Sequence, residues 1–137
     1  MKDLEGSVFD GVPPDLPELI RALELQQRAA RVGFDWRQLP PVLAKIREEL
    51  VELETEISGD GPRERKLDEL GDLLFAVVNL ARKLKLDPEQ ALRGTNRKFQ
   101  RRFGIVETEL AKQGKCPEQA SLDEMDALWV QAKHDES

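Results

Sequence analysis

Two short acidic segments hold the residues whose types and spacing could do chemistry. In residues 45–57, Glu49, Glu52 and Glu56 recur at intervals of three and four. On a helix turning about 100° per residue they line one edge of an apolar stripe of Leu43, Ile46, Leu50, Leu53 and Ile57. In the second segment Glu69 and Asp72, three apart, flank a stripe of Leu67, Leu70, Leu74, Val77, Ala81 and Leu84. Asn79 lies two turns beyond Asp72 on the same side. If both edges face one groove, Glu49, Glu52, Glu69 and Asp72 converge. Four carboxylates cannot share a half-buried site unpaired, because like charges raise one another's pKa. A hard divalent cation resolves the repulsion, and Mg2+ is the ion that takes oxygen ligands beside phosphates. With no histidine or thiolate in the pattern, zinc and copper suit it less well. The competing reading is a pair of solvated acidic faces, since Glu-x-x-Glu alone is common.

Convergence requires two neighbouring antiparallel helices joined by a short loop. The punctuation of the chain supplies them. A first helix is expected from Pro17 to Val32, with Gly33 as its C-terminal cap. A second runs from about Pro41 to Ser58, ahead of Gly59-Asp60-Gly61, and a third from about Pro62 to Leu86. A fourth has Asp87 as N-cap, Pro88 in the first position and Gln90 completing a capping box, and it ends near Gln113. A fifth has Ser121 as N-cap, Glu124 at the box position, and ends near Lys133. No run of alternating β-branched residues suggests a strand. The expected fold is therefore all-α, a four- to five-helix bundle in residues 16–137. Residues 1–15, rich in Gly, Pro and Asp, read as a flexible tail or linker.

Composition narrows the function classes. The chain has 137 residues, one domain's worth, and such a length buries only about two thirds of its unfolded surface. A partner subunit would help. Its 21 basic and 27 acidic residues leave a net charge of -6, which argues against nonspecific binding to a nucleic-acid polymer. The single cysteine, Cys116, excludes an internal disulfide framework and a cysteine-based zinc site, and suits a reducing, cytoplasmic setting. The single histidine, His134, excludes a histidine-rich metal site. Nothing approaches the ~20 apolar residues of a membrane helix, and the N-terminus has no signal-peptide core.

Basic and aromatic residues complete the candidate set. Lys98 and Arg102, four apart on one helix face, fit a phosphate clamp, with Arg97 and Arg101 as a second row. Their alternative is a solvated basic face whose pairs are worth about 0–1 kcal/mol. Trp129, beside Leu128 and Met125, reads as core; Phe34 and Trp36 read as pins of the loop after the first helix.

The spacing Glu49-x-x-Glu52, then Glu69-x-x-Asp72, resembles the signature of the all-α nucleotide pyrophosphohydrolases. The surrounding residues 68–82, 28–36, 96–103 and 129–133 narrow the resemblance to the MazG type, and it covers about residues 13–133. The chain resembles the C-terminal domain of two-domain members, and residues 1–15 then look like a linker remnant. The resemblance implies hydrolysis of nucleoside triphosphates between the α- and β-phosphates. It implies Mg2+, with Mn2+ as a substitute, held by Glu49, Glu52, Glu69 and Asp72. Glu48 is the candidate that orients or deprotonates the water, against a solvated surface role. Asn79 is a candidate second layer or sugar contact. Lys98 and Arg102 would contact phosphate, Arg65 and Lys133 would assist, and Trp129 would lie near the base. Stacking tolerates many bases, so broad specificity in nucleotide-pool sanitation is expected. A homodimer is expected, with a tetramer as the alternative.

Three other readings compete. A base-selective dUTP or dCTP pyrophosphatase, or a phosphoribosyl-ATP pyrophosphohydrolase, stays within the same superfamily. A non-catalytic helical interaction module predicts no cation dependence of stability. A helical nucleic-acid binder predicts salt-sensitive oligonucleotide binding.

Overall fold

A computed structural model of the chain describes residues 6–136. Residues 1–5 of the expected tail lie outside the described residues. The described residues form five α-helices: α1 (Glu18–Arg31), α2 (Leu39–Ser58), α3 (Arg63–Lys83), α4 (Pro88–Lys112) and α5 (Leu122–Asp135). A 3-10 turn, Pro117–Gln119, precedes α5, and there is no strand among the described residues. The all-α expectation holds, and each helix falls close to its expected span.

The caps behave as their residue types dictate. Gly33, at φ 100°, ends α1 in the left-handed region where a side chain is disfavoured. Asp87 Oδ1 accepts from the Glu89 backbone N–H, and Ser121 Oγ accepts from that of Glu124. Helix α2 starts slightly earlier than expected because Pro40 and Pro41 both fit the first turn, where their missing N–H groups cost nothing. The 3-10 turn was not foreseen; Pro117 and the Gln119 side chain accepting from the Cys116 N–H make it.

The chain divides into two compact units, one up to Glu89 and one from Gln90. In the first, α3 packs against both α1 and α2. The connection between α2 and α3 turns at Asp60, whose φ is 51°. Among the described residues of this unit, Val42, Ala76 and Val78 are the buried apolar ones. Arg28 donates to the backbone oxygens of Val8 and Asp10, and Arg21 to that of Pro14, which lays the segment before α1 along that helix.

The expected burial of the apolar stripes needs correction. Leu50, Ile57, Leu67, Leu70, Leu74 and Val77 are all exposed. Helix α3 has a second face, running through Asp72, Phe75, Ala76 and Asn79 at helical spacing, and these residues line the cavity described below. Periodicity alone cannot say which of two adjoining faces turns inward.

In the second unit Val106, Leu110 and Ala132 are buried. Phe99 stacks on Phe103 with centroids 6.3 Å apart and meets Trp129 at 5.2 Å. Lys115 reaches Glu124 at 3.0 Å, tying the loop after α4 to the first turn of α5.

Candidate metal centre

Helices α2 and α3 bring three of the four expected carboxylates into one cluster. Glu49, Glu69 and Asp72 each offer an oxygen, and these oxygens lie within 4.8 Å of one another. Glu49 is only 5% exposed, Glu69 half-buried and Asp72 exposed. Glu52 is exposed but electrically part of the group. Its carboxyl is pushed up to about 7, first by the charge of Glu49, then by burial and by contact with Glu69 and Glu49. Asp72 is also raised, mainly by burial and then by the charges of Asp68 and Glu49, while Lys45 opposes the shift. Carboxyls displaced upward by their own neighbours mark a site short of positive charge.

Two details test whether the residues fit a cation. Glu49 Oε2 and Glu69 Oε2 are buried and have no hydrogen-bond partner. A buried acceptor left unpaired is costly, and a cation satisfies two at once. The donor set is all oxygen, which suits Mg2+ or Mn2+ better than a softer ion. The residues fit the group.

Lys45 was not singled out in the sequence, although it stands four residues before Glu49 on the same face. Its ammonium lies 3.0 Å from Glu49 and 3.5 Å from Glu48, and contact with Glu49 holds its pKa above the ordinary value. Glu48 is exposed and has that pairing with Lys45.

A cavity of about 490 Å3 adjoins the cluster, and Glu49 and Asp72 belong to its wall. Phe9, Phe34, Trp36, Phe75, Gln26 and Asn79 also line it. The aromatic loop after α1 is pinned there by charge. Asp35 meets Arg82 at 2.6 Å and Lys83 at 3.3 Å, and hydrogen bonding to Arg82 holds its carboxyl below the usual range. Lys83 also donates to the Trp36 backbone oxygen. The loop is held by Asp35 and the Trp36 backbone oxygen rather than by the rings of Phe34 and Trp36 as expected; those rings are exposed and line the cavity. Asn79 Oδ1 accepts from Arg82 Nε at 3.0 Å.

The remaining expected residues are placed as follows. Arg65, in the first unit, is exposed and 4.0 Å from Glu56. Lys98, Arg102, Trp129 and Lys133 belong to the second unit. Lys98 is half-buried and Lys133 exposed. Arg102 lies over the Trp129 ring, 5.9 Å from its centroid, and reaches Glu136 at 2.8 Å. Arg101 meets the same carboxylate at 3.0 Å, and the two guanidiniums hold Glu136 down to about 2.

The fold and site thus define an all-α protein with a carboxylate cluster beside a cavity lined in part by aromatic residues. Residues 39–104 match the MazG nucleotide pyrophosphohydrolase domain. The chain is 44% identical over 133 residues to the nucleoside triphosphate pyrophosphohydrolase of Escherichia coli K12, covering 96% of this chain and 51% of that protein. It is 43% identical over 129 residues to the nucleoside triphosphate pyrophosphohydrolase/pyrophosphatase MazG of Thermotoga maritima, covering 94% and 49%. It is 45% identical over 133 residues to the uncharacterized protein YabN of Bacillus subtilis, covering 96% and 27%. The chain thus spans about half the length, or less, of these relatives. No helix among the described residues is long and apolar enough to cross a membrane.

Proposed function

We propose that this protein hydrolyses nucleoside triphosphates at the α–β bond, releasing the monophosphate and pyrophosphate, with Mg2+ as its cation and Mn2+ as a substitute. The observation that carries the reading is the meeting of Glu49, Glu69 and Asp72, two of them with unpaired buried oxygens, in a chain whose residues 39–104 match this family. Glu49, Glu52, Glu69 and Asp72 would hold the cation. When bound, the cation supplies charge neutralisation at phosphate oxygens and acidifies water. Glu48 takes the proton of the attacking water as its oxygen bonds to phosphorus and the bridging P–O bond breaks. Lys45, already beside Glu48 and Glu49, offsets the negative charge of the departing pyrophosphate. Lys98 and Arg102 supply phosphate contacts, with Arg65 and Lys133 assisting. Trp129 holds the Arg102 guanidinium over its ring, and phosphate competes with Glu136 for that cation. Asn79 contacts the nucleoside.

Nucleotide-pool sanitation in the cytoplasm is the setting this reading favours. The exposed stripe of Leu50, Leu67, Leu70 and Leu74 supports a homodimer that covers it. The test is turnover of a panel of canonical and modified triphosphates, with and without Mg2+, resolving pyrophosphate from orthophosphate. Cation-dependent pyrophosphate release, lost in Glu52→Ala and Asp72→Ala with unchanged helical circular dichroism, is expected. Orthophosphate as sole product, or full activity in both variants, overturns the reading.

A further inference from the structure

Residues 7–14, ahead of α1, fold back on themselves. The Ser7 backbone N–H donates to Asp10 Oδ2 at 2.9 Å. The N–H groups of Asp10 and Val12 donate to the carbonyls of Ser7 and Phe9 at 3.1 and 3.2 Å. Gly11, at φ 84°, turns the chain in the left-handed region. The turn delivers Phe9 to the wall of the cavity beside the carboxylates. Every other wall residue among those described belongs to α1, α2, α3 or the loop between α1 and α2. What holds the turn in place is polar. Arg28 donates to the backbone oxygens of Val8 and Asp10, and its Nε is braced by Glu24 at 2.9 Å. Arg21 donates to the Pro14 oxygen at 2.7 Å. Apolar burial adds little, since Val8 and Phe9 are both exposed. A segment with few buried apolar contacts opens at lower free energy than the helices it lies on. Arg28 takes two of the three tethering carbonyls, so its loss frees the end that carries Phe9 while the Pro14 end stays fixed.

We infer that residues 7–14 form a lid over the cavity, anchored at Pro14 by Arg21 and clasped by Arg28, which closes Phe9 onto the bound substrate. The inference rests on the reading that a nucleoside triphosphate occupies the carboxylate centre. The exposed Phe9 ring offers apolar surface that a ligand in the cavity covers, so binding and closure favour each other. Arg28 is not one of the wall residues and acts through the turn, which makes it a positioning residue. The clustered carboxylates stand on α2 and α3, so opening the lid leaves the cation's ligands in place. A lid of this kind slows departure of the ligand more than it hinders entry, because the clasp acts after the ligand is seated.

The experiment uses the full chain and the Mg2+ complex of α,β-imido-ATP, a non-hydrolysable analogue. Stopped-flow kinetics read association and dissociation, and amide hydrogen exchange reads residues 7–12. In the wild type the analogue should slow exchange across the turn. Arg28→Met keeps the stem and removes the guanidinium. It should raise the dissociation rate roughly tenfold and leave the association rate within about twofold. Phe9→Ala, which truncates an exposed ring, should act in the same direction, and it carries the test if Arg28→Met loses its helical circular dichroism. The double variant should lose no more than the worse single, because clasp and ring act as one unit. Unchanged dissociation in the folded variants, additive losses in the double variant, or turn exchange indifferent to the analogue overturns the inference and leaves the proposed reaction standing. Failure of the wild-type protein to bind the analogue overturns the proposed reaction, and the inference with it.

Discussion

Replacing Glu49 by glutamine should make the cation-free protein more stable while removing its response to Mg2+. Oxygens of Glu49, Glu69 and Asp72 lie within 4.8 Å of one another. Two unit charges at that distance repel by about 3.5 kcal/mol at an effective dielectric of about 20. Asp72 is exposed and Glu69 only half-buried, so solvent screening brings each of the two Glu49 pairs down to about 1 kcal/mol, near the bulk-water value. Glu49 takes part in two of the three pairings, and its amide variant can donate to the carboxylates that remain. Against this stands the ion pair with Lys45, a partly exposed lysine, worth about 0–1 kcal/mol. The net gain is about 1–2 kcal/mol, or a Tm rise of about 3–8 °C for a chain of this size. Calorimetry at pH 8 in chelator reads it directly. Adding Mg2+ or Mn2+ should then raise the wild-type Tm, by about 2.7 kcal/mol of stability at a hundredfold excess over Kd, and leave the variant unmoved. A lower Tm for Glu49→Gln in chelator would refute the reasoning. It would mean that Lys45 holds Glu49 as a structural ion pair and that the cluster is a solvated acidic face.

Two further outcomes follow from charge pairs outside the centre. Asp35→Asn should cost about 1–2 kcal/mol in urea unfolding, because Arg82 and Lys83 lose the carboxylate that fastens the aromatic loop. Part of that loss should appear as weaker nucleotide affinity, and unchanged stability and affinity together would sink the pinning role. Glu136 is held at about 2 by Arg101 and Arg102, below its ordinary 4.5. A lowered carboxyl pKa contributes stability that is present above 4.5 and lost as pH falls toward 2. Acid titration followed by circular dichroism should therefore show a shallower low-pH loss in Glu136→Gln than in the wild type; identical acid limbs would refute the pairing.

Helix spans were legible in the sequence because their signals are local. Ser121, Asp87 and Gly33 each act within one turn of their own position, and each caps as its chemistry requires. The acidic centre was legible for a related reason: intervals of three and four fix a shared face before any packing is known. What stayed hidden depends on which of two faces turns inward. The hydrophobic pattern favours burying Leu67, Leu70, Leu74 and Val77, but these are exposed, and it is Asp72, Phe75, Ala76 and Asn79 that line the cavity. That face carries the site.

The buried side-chain atoms without partners, among the described residues, are Gln26 Oε1, Glu49 Oε2 and Glu69 Oε2. All three are acceptors, and all three belong to the unit of α1, α2 and α3. Unpaired groups left by poor packing would be scattered through the chain and would include donors. Here the deficit has one sign, and the charge of Glu49 pushes up the carboxyl of its neighbour Glu52. Two of the three acceptors are carboxylate oxygens of the cluster, which a divalent cation would satisfy together.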